Sequence, residues 1–204
     1  MLPHGHLAVG YLLFSGYARA TRRRRPEFRE IAFVMLGTQL PDLFDKPLAL
    51  LGGGFAGGRT VGHSMIFAVP FVLAVGVLIH GRTEAWGPAV AFAVGYVCHP
   101  FVDASLFLLQ GTVAKDFLEV SFVVWPLTIP GPAIVSALTG VPGLSDLIAI
   151  KPVWTARHLP TAPVIGWWIR AAEAVLALLA AIVWWADGVP GMEKLPDGWI
   201  RIFE

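Results

Sequence analysis

His99 and Asp103 stand four residues apart within a long apolar stretch that runs from about Trp86 to Leu109. On a helix this spacing places both side chains on one face, where they can share a metal ion or a proton. Ionisable groups inside a membrane span are costly, and they usually mark a functional site. The pair therefore predicts such a site, and its other members must come from elsewhere in the chain.

Further histidines and aspartates flank the other apolar segments. Neutral imidazole nitrogens together with carboxylate oxygens suit zinc, and they suit iron or manganese less specifically. A catalytic metal lowers the pKa of water, so that water can attack an ester or phosphoester near neutral pH. More than four candidate ligands leave room for a second ion, or for carboxylates that orient the histidines. The predicted metal ligands are His6, Asp42, His63, His99 and Asp103, with Asp42 and Asp45 as candidate catalytic carboxylates that orient a ligand or water.

The composition places these residues in a membrane protein. Hydrophobic residues make up 56% of the 204 residues and charged residues 14%, against about 25% charged in average soluble domains. The single cysteine, Cys98, excludes an internal disulfide and a cysteine-based zinc cluster. Six arginines lie between positions 19 and 29. By the positive-inside rule this loop is a cytoplasmic turn of a cell-membrane protein rather than a nucleic-acid patch, so no nucleic-acid partner is expected.

Hydropathy predicts an all-α, polytopic helical membrane protein, an antiparallel bundle of four to six transmembrane or half-spanning helices. The first two apolar segments are shorter than the roughly 20 residues that an upright crossing needs. The glycine-rich stretch 42–62 is expected to be a loop, the proline-containing segment 120–138 to be kinked or split, and 140–163 to be irregular. The apolar segments are predicted at about 7–18, 31–40, 63–80, 86–109, 120–138 and 164–186.

One membrane-embedded domain is expected over residues 1–204. Residues 1–110 carry the motifs, 111–186 add further helices, and 187–204 form a polar tail. If the arginine loop is cytoplasmic and the first four segments alternate in direction, all six candidate residues come to the extracytoplasmic side. If the first two segments form a re-entrant hairpin, the residues still converge but their side of the membrane stays open.

Each polar residue also has a structural interpretation. An intramembrane histidine often hydrogen-bonds two helices together, and Pro41-Asp42 is typical of a turn. The rival hypothesis is a non-catalytic membrane protein, in which the cluster carries ions or protons, staples helices or remains from an ancestral metal site. A transporter would show two related halves with broken helices, and the chain has no such symmetry. His80 and His158 are expected to be structural, whereas Glu119 is a candidate base or outer ligand.

Several short blocks keep the order of a known family pattern over the first two-thirds of the chain. These blocks are Gly5-His6-Leu7, Leu40-Pro41-Asp42-Leu43-Phe44-Asp45, Arg59 with His63-Ser64, Gly95-Tyr96-Val97-Cys98-His99 with Asp103, and Trp125-Pro126.

In these blocks the chain resembles the YdjM family of inner-membrane proteins, to which a metal-dependent hydrolase activity is ascribed. The arrangement is more distantly similar to zinc-dependent phospholipase C, a likeness that favours phosphoester or phospholipid substrates and membrane lipids as partners. Two departures from the family pattern stand out. One extra residue precedes Asp45, and Gly58 and Gly62 replace a histidine and a threonine, so the resemblance implies one ligand fewer and leaves a second metal open.

Overall fold

The computed structural model describes residues 3–50, 59, 61–110, 123 and 162–192. All regular structure in these residues is helical, as predicted. The predicted pieces at 120–138 and 140–163 lie mostly outside the described residues, as do Gly58, Glu119 and His158. The described residues form five helices, α1 (Pro3–Arg22), α2 (Phe28–Leu50), α3 (Met65–Thr83), α4 (Trp86–Gln110) and α5 (Ala162–Ala186).

The first two helices are longer than their apolar segments indicated. They contain 20 and 23 residues, so at about 1.5 Å per residue each reaches roughly the thickness of a bilayer core. The prediction of a loop from residue 42 onward is wrong up to residue 50, because α2 continues through Pro41 and Pro47. Prolines are tolerated inside helices of membrane proteins when neighbouring groups satisfy the backbone atoms they release.

Helices α2 and α4 lie side by side and run in the same direction. A Cβ atom added at Gly37 would lie 2.8 Å from the Tyr96 nitrogen, and one added at Gly95 would lie 2.5 Å from the Val34 carbonyl oxygen. Glycines at both positions therefore allow the two backbones to touch, as small residues do between membrane helices. This contact fixes the register of α4 against the turn of α2 that precedes Asp42.

Helix α3 follows α2 in sequence, packs against α4 and runs in the opposite direction to it. Its N-terminus is capped by Ser64, whose hydroxyl accepts a hydrogen bond from the Ile66 N–H. Its C-terminus ends at Glu84 in the left-handed region, where the Glu84 N–H donates to the His80 carbonyl. The buried core between α3 and α4 contains Phe92 and Tyr96.

Helix α5 packs on α1 through a small core that contains Ala8, Tyr11 and Ala180. Asp187 follows α5 directly and is buried, with 4% of its surface exposed. The residue at the start of the predicted polar tail is thus inside the protein. Because Asp187 contacts Ser15 and Arg19, α5 runs in the same direction as α1.

Large apolar side chains cover much of the outside of the bundle. Leu73 and Leu78 on α3 are each 65% exposed, and Trp167 on α5 is 78% exposed. Exposed apolar surface on this scale marks contact with lipid or another protein. Two stretches within the described helices are long and apolar enough to cross a membrane, Met65–Thr83 and Trp167–Ala186.

Candidate metal-binding site

Six histidine and aspartate side chains that are far apart in sequence meet at one end of the bundle. This end, here called the site end, contains the start of α1, the second half of α2, the turn before α3 and the second half of α4. Five of the six residues are at least 98% buried. The six are His6, Asp42, Asp45, His63, His99 and Asp103.

Asp45 holds the turn that carries His63. The Gly62 N–H donates to Asp45 Oδ1 at 2.9 Å, and the His63 N–H donates to Oδ2 at 3.2 Å. The His63 ring also donates from Nδ1 to Asp45 Oδ2 at 2.8 Å. On the other side of the turn, the Tyr96 hydroxyl donates to the Gly62 carbonyl at 3.0 Å. Four hydrogen bonds therefore fix both the position of His63 and the proton on its Nδ1.

Gly62 is required by this close packing. A Cβ atom there would lie 2.5 Å from the Pro41 carbonyl oxygen and 3.2 Å from Asp45 Cγ. The departure from the family pattern at this position thus accompanies a tight approach of the turn to α2. The three-residue spacing of Asp42 and Asp45 also fits, because residues i and i+3 of a helix lie on the same face.

His99 is oriented by a backbone atom. Its Nδ1 donates to the Thr38 carbonyl of α2 at 2.5 Å, a contact that the close approach of α2 and α4 makes possible. Pro41, in the next turn, has no N–H to give to the Gly37 carbonyl, so this part of α2 departs from regular helical bonding. The bond to Thr38 fixes the His99 tautomer, with the proton on Nδ1 and a lone pair on Nε2.

The Nε2 atoms of His63 and His99 point toward a common space beside Asp42. Each lies 3.7 Å from Asp42 Oδ1, and His63 Nε2 is also 3.7 Å from Asp103 Oδ2. These distances exceed those of hydrogen bonds. They are close to the separation of about 3.4 Å expected between two ligand atoms of one tetrahedral zinc ion.

His6 completes the set from α1. Its ring stacks on the ring of His99 with centroids 3.8 Å apart, and its Nε2 lies 3.2 Å from Asp103 Oδ1. Among the described residues, His6 Nδ1 and His99 Nε2 are buried atoms with no hydrogen-bond partner. Such atoms are rare in folded proteins unless a ligand, ion or water satisfies them.

Two groups of three residues could hold an ion, and they share His99. The first is His6, His99 and Asp103, and the second is Asp42, His63 and His99. Within each group the ligand atoms lie within 4.8 Å of one another. Since His99 Nδ1 is bonded to Thr38, only its Nε2 is left for a metal. An ion held by either group would therefore be held through His99 Nε2, the nitrogen that both groups share.

The protonation state of His63 also fits a ligand. Burial is the largest influence and lowers the pKa of this imidazole, although the hydrogen bond to Asp45 acts in the opposite sense. The ring is therefore neutral near pH 7 and keeps the lone pair that a metal requires.

Residues at the mouth of the site were not predicted to take part. Lys46 Nζ is bonded to Asp42 Oδ2, and Arg59 Nε donates to Asp103 Oδ2 at 2.7 Å. Lys46 lies four residues after Asp42, and this spacing in the sequence could have predicted an ion pair on a helix. The Thr38 carbonyl left no such signal, because a backbone atom can belong to any residue type.

Two further histidines of the described residues lie outside the ligand groups. His80, near the end of α3, stacks on Trp86 with ring centroids 4.1 Å apart. His4 is exposed near the start of α1. Neither belongs to a group of potential ligands among the described residues.

The family of this chain is identified by comparison with models of protein families. The model of the family described as YdjM inner membrane protein matches residues 1–189. The chain belongs to the YdjM family. The match extends beyond the motif-bearing first two-thirds and includes α5 and Asp187. No curated protein matches the chain, and neither does any solved structure.

Proposed function

We propose that this YdjM-family protein is a multi-pass membrane hydrolase whose metal site faces the extracytoplasmic side. The observation that carries this proposal is the fixed orientation of His63 and His99. Each ring donates its Nδ1 proton to an oxygen of α2, and each directs its Nε2 toward Asp42. Metal-binding histidines in proteins show this arrangement, with a carboxylate or carbonyl behind the ring.

The sidedness follows from the two ends of α1 and α2. His6 and Arg22 are separated by about 24 Å of helical rise, so the arginines at 19–29 lie at the end opposite the site. The positive-inside rule assigns that end to the cytoplasm. All five described helices then alternate across the membrane, with the exposed apolar faces of α3 and α5 toward lipid.

The chain supplies five ligands for the metal: His6, Asp42, His63, His99 and Asp103. A set of imidazole nitrogens and carboxylate oxygens favours zinc, with iron or manganese as alternatives. A divalent ion bound there acts as a Lewis acid and lowers the pKa of water toward neutrality.

The carboxylates Asp45 and Asp42 have different roles at the site. Asp45 is a positioning residue, because both of its oxygens are bonded to the His63 turn and it is buried. Asp42 is the most exposed carboxylate of the six, with 15% of its side chain accessible. Its Oδ1 is therefore placed to accept the proton of an attacking water. The substrate is a phosphoester or a lipid-derived ester, which reaches the site from the membrane surface.

The test is hydrolysis by the detergent-purified protein reconstituted with zinc, iron or manganese. The Asp103→Asn variant keeps the size of the side chain but removes its charge. We expect it to lower turnover of a phosphodiester or ester probe by about 100-fold or more, since each ligand supports transition-state charge. Glu27→Gln is the matched control. It also replaces a carboxylate by an amide, but at an exposed position at the opposite end of the bundle, and it should keep parental activity.

The yield of folded protein separates this function from its rival. Equal losses of folded protein and activity in Asp103→Asn would support the rival hypothesis, in which the polar cluster only holds the helices together. Bound metal without turnover of any probe would contradict the hydrolase and leave a scaffold with a metal site.

A further inference from the structure

We propose that Lys46 and Arg59 form an anion-recognition pair at the mouth of the site, where they receive the phosphate group of the substrate. This inference rests on the proposed metal site and deepens the proposed function. It selects a phosphoester over a neutral carboxylic ester. The net charge of +1 does not distinguish these two cations from the other lysines and arginines, so the inference depends on their positions in the structure.

The exposed fractions of the side chains indicate where the site opens to solvent. His63 and His99 are fully buried, and Asp103 is 2% exposed. Beside them Asp42 is 15% exposed, Arg59 is 25% exposed and Lys46 is 59% exposed. Of the charged side chains in the described part of the site, these three are the most exposed. We therefore place the mouth of the site beside them and expect an incoming substrate to meet both cations.

Each cation is attached to a carboxylate from a different ligand group. Lys46 is bonded to Asp42, which belongs with His63 and His99. Arg59 is bonded to Asp103, which belongs with His6 and His99. The two come from separate elements, the second half of α2 and the segment before α3. Each of the two ligand groups that share His99 therefore has one cation bonded to its carboxylate.

The charge of the site changes sign when a metal binds. Three carboxylates, Asp42, Asp45 and Asp103, outnumber the two cations by one. Over these five side chains the formal charge is one negative, and a bound divalent ion would make it one positive. Once the ion neutralises the carboxylates, Lys46 and Arg59 are held less strongly by them and can attract an anion.

The chemistry of the two side chains favours phosphate. Arginine offers a planar set of N–H donors that matches phosphate oxygens, and lysine supplies a mobile point charge. A neutral ester would gain little from either. Two cations at the entrance of a site in low-dielectric surroundings also concentrate anions there.

The experiment measures binding of inorganic phosphate by isothermal titration calorimetry to the full-length protein in detergent. Metal-loaded and metal-free samples are compared, and metal content is determined on each sample. We expect phosphate to bind the loaded protein and to bind the metal-free protein at least about tenfold more weakly. Lys46→Gln and Arg59→Gln should each weaken binding to the loaded protein by about tenfold or more, the usual effect of a lost charged hydrogen bond.

Conservative and distant substitutions provide the controls. Lys46→Arg keeps the charge and should bind phosphate within about threefold of the parent, because a guanidinium also pairs with phosphate. Arg82→Gln, in the last turn of α3, removes a cation from the other end and should leave binding unchanged.

The outcomes separate this inference from the proposed function. A loaded parent that binds metal but no phosphate would overturn the anion pair and leave the metal site standing. Parental phosphate affinity in both Lys46→Gln and Arg59→Gln, with full metal content, would also overturn it. Absence of metal in the parent after reloading would refute both proposals.

Discussion

The two ends of the bundle both contain buried carboxylates, but they differ in the groups that lie beside them. At the arginine end, Asp187 accepts hydrogen bonds from the Tyr11 hydroxyl at 2.6 Å, the Ser15 hydroxyl at 2.7 Å and the Arg19 guanidinium. Glu30, 1% exposed, accepts from Arg22, from Arg24 and from the Glu27 N–H. These acids have strong donors for both oxygens.

At the site end the carboxylates also have donors, namely Lys46 for Asp42, Arg59 for Asp103 and the His63 turn for Asp45. The difference lies in two buried imidazoles beside them, each of which keeps a nitrogen without a partner among the described residues. His99 Nε2 and His6 Nδ1 have no hydrogen-bond partner in the part of the chain that the structure describes. A staple is closed by its own donors, whereas a ligand site presents lone pairs that only an added cation or proton can use.

Removal of Asp187 should have the largest effect on stability. Asp187→Ala leaves two buried hydroxyls and the Arg19 guanidinium without their acceptor, so we expect a loss of about 3–5 kcal/mol in the free energy of unfolding. Thermal unfolding in detergent measures this. Metal content per folded protein should not change, and a parallel loss of metal would break the distinction between the two ends.

A substitution between α2 and α4 should affect both stability and metal binding. In Gly37→Ala the new Cβ would collide with the Phe92 carbonyl and the Tyr96 nitrogen, at a cost of about 1–3 kcal/mol. The same displacement moves Thr38 away from His99 and should lower metal affinity.

Gly81→Ala is the matched control, because a Cβ there meets nothing within 4 Å. It should raise stability by about 0.5–1 kcal/mol through helix propensity. Equal behaviour of the two variants in unfolding and metal titration would show that the contact of α2 with α4 is not required.

Asp45→Asn should weaken metal binding and also loosen the His63 turn, because the amide nitrogen cannot accept a backbone N–H as the carboxylate oxygen does. An amide at this position can donate to His63 Nδ1 and so favour the tautomer with the proton on Nε2, which removes the lone pair. We expect a metal dissociation constant about 10–100-fold higher, the usual effect of losing a partner behind a ligating histidine. Competition with a chromogenic chelator measures it, and parental affinity would refute the positioning role of Asp45.

His80→Gln should have the smallest effect. His80 also has a buried Nδ1 without a hydrogen-bond partner in the described part of the chain, yet it stacks on Trp86 away from the site. We expect unchanged metal content and a change below about 1.5 kcal/mol in unfolding, the value of an aromatic pair. Loss of metal in this variant would show that His80 contributes to metal binding and would contradict the assigned location of the site.

The sequence predicted much of the site because local spacing reflects helical geometry. His99 and Asp103 share a face by their four-residue separation, and the alternation of apolar segments placed His6, Asp42 and His63 at the same end. The extent of α2 was missed because Pro41, Pro47 and the following glycines all favour the end of a helix. Tertiary contacts of Asp45 with the His63 turn outweigh that local preference.

Other features depend on packing alone. Asp187 follows an apolar helix and resembles a solvated residue of the tail, and its partners Tyr11, Ser15 and Arg19 lie more than 160 positions away. The Thr38 carbonyl acquires its role only from the close approach of α2 to α4. Neither of these contacts produces a periodic pattern or a motif that can be recognised in a single sequence.

The most direct test of the account is metal content. Elemental mass spectrometry on detergent-purified protein would compare the parent, His80→Gln and a His63→Ala, His99→Ala double variant. The account predicts about one equivalent of zinc, iron or manganese in the first two proteins, and little in the folded double variant, which lacks both oriented imidazoles. No metal in the parent after reloading, or full metal in the double variant, would contradict it.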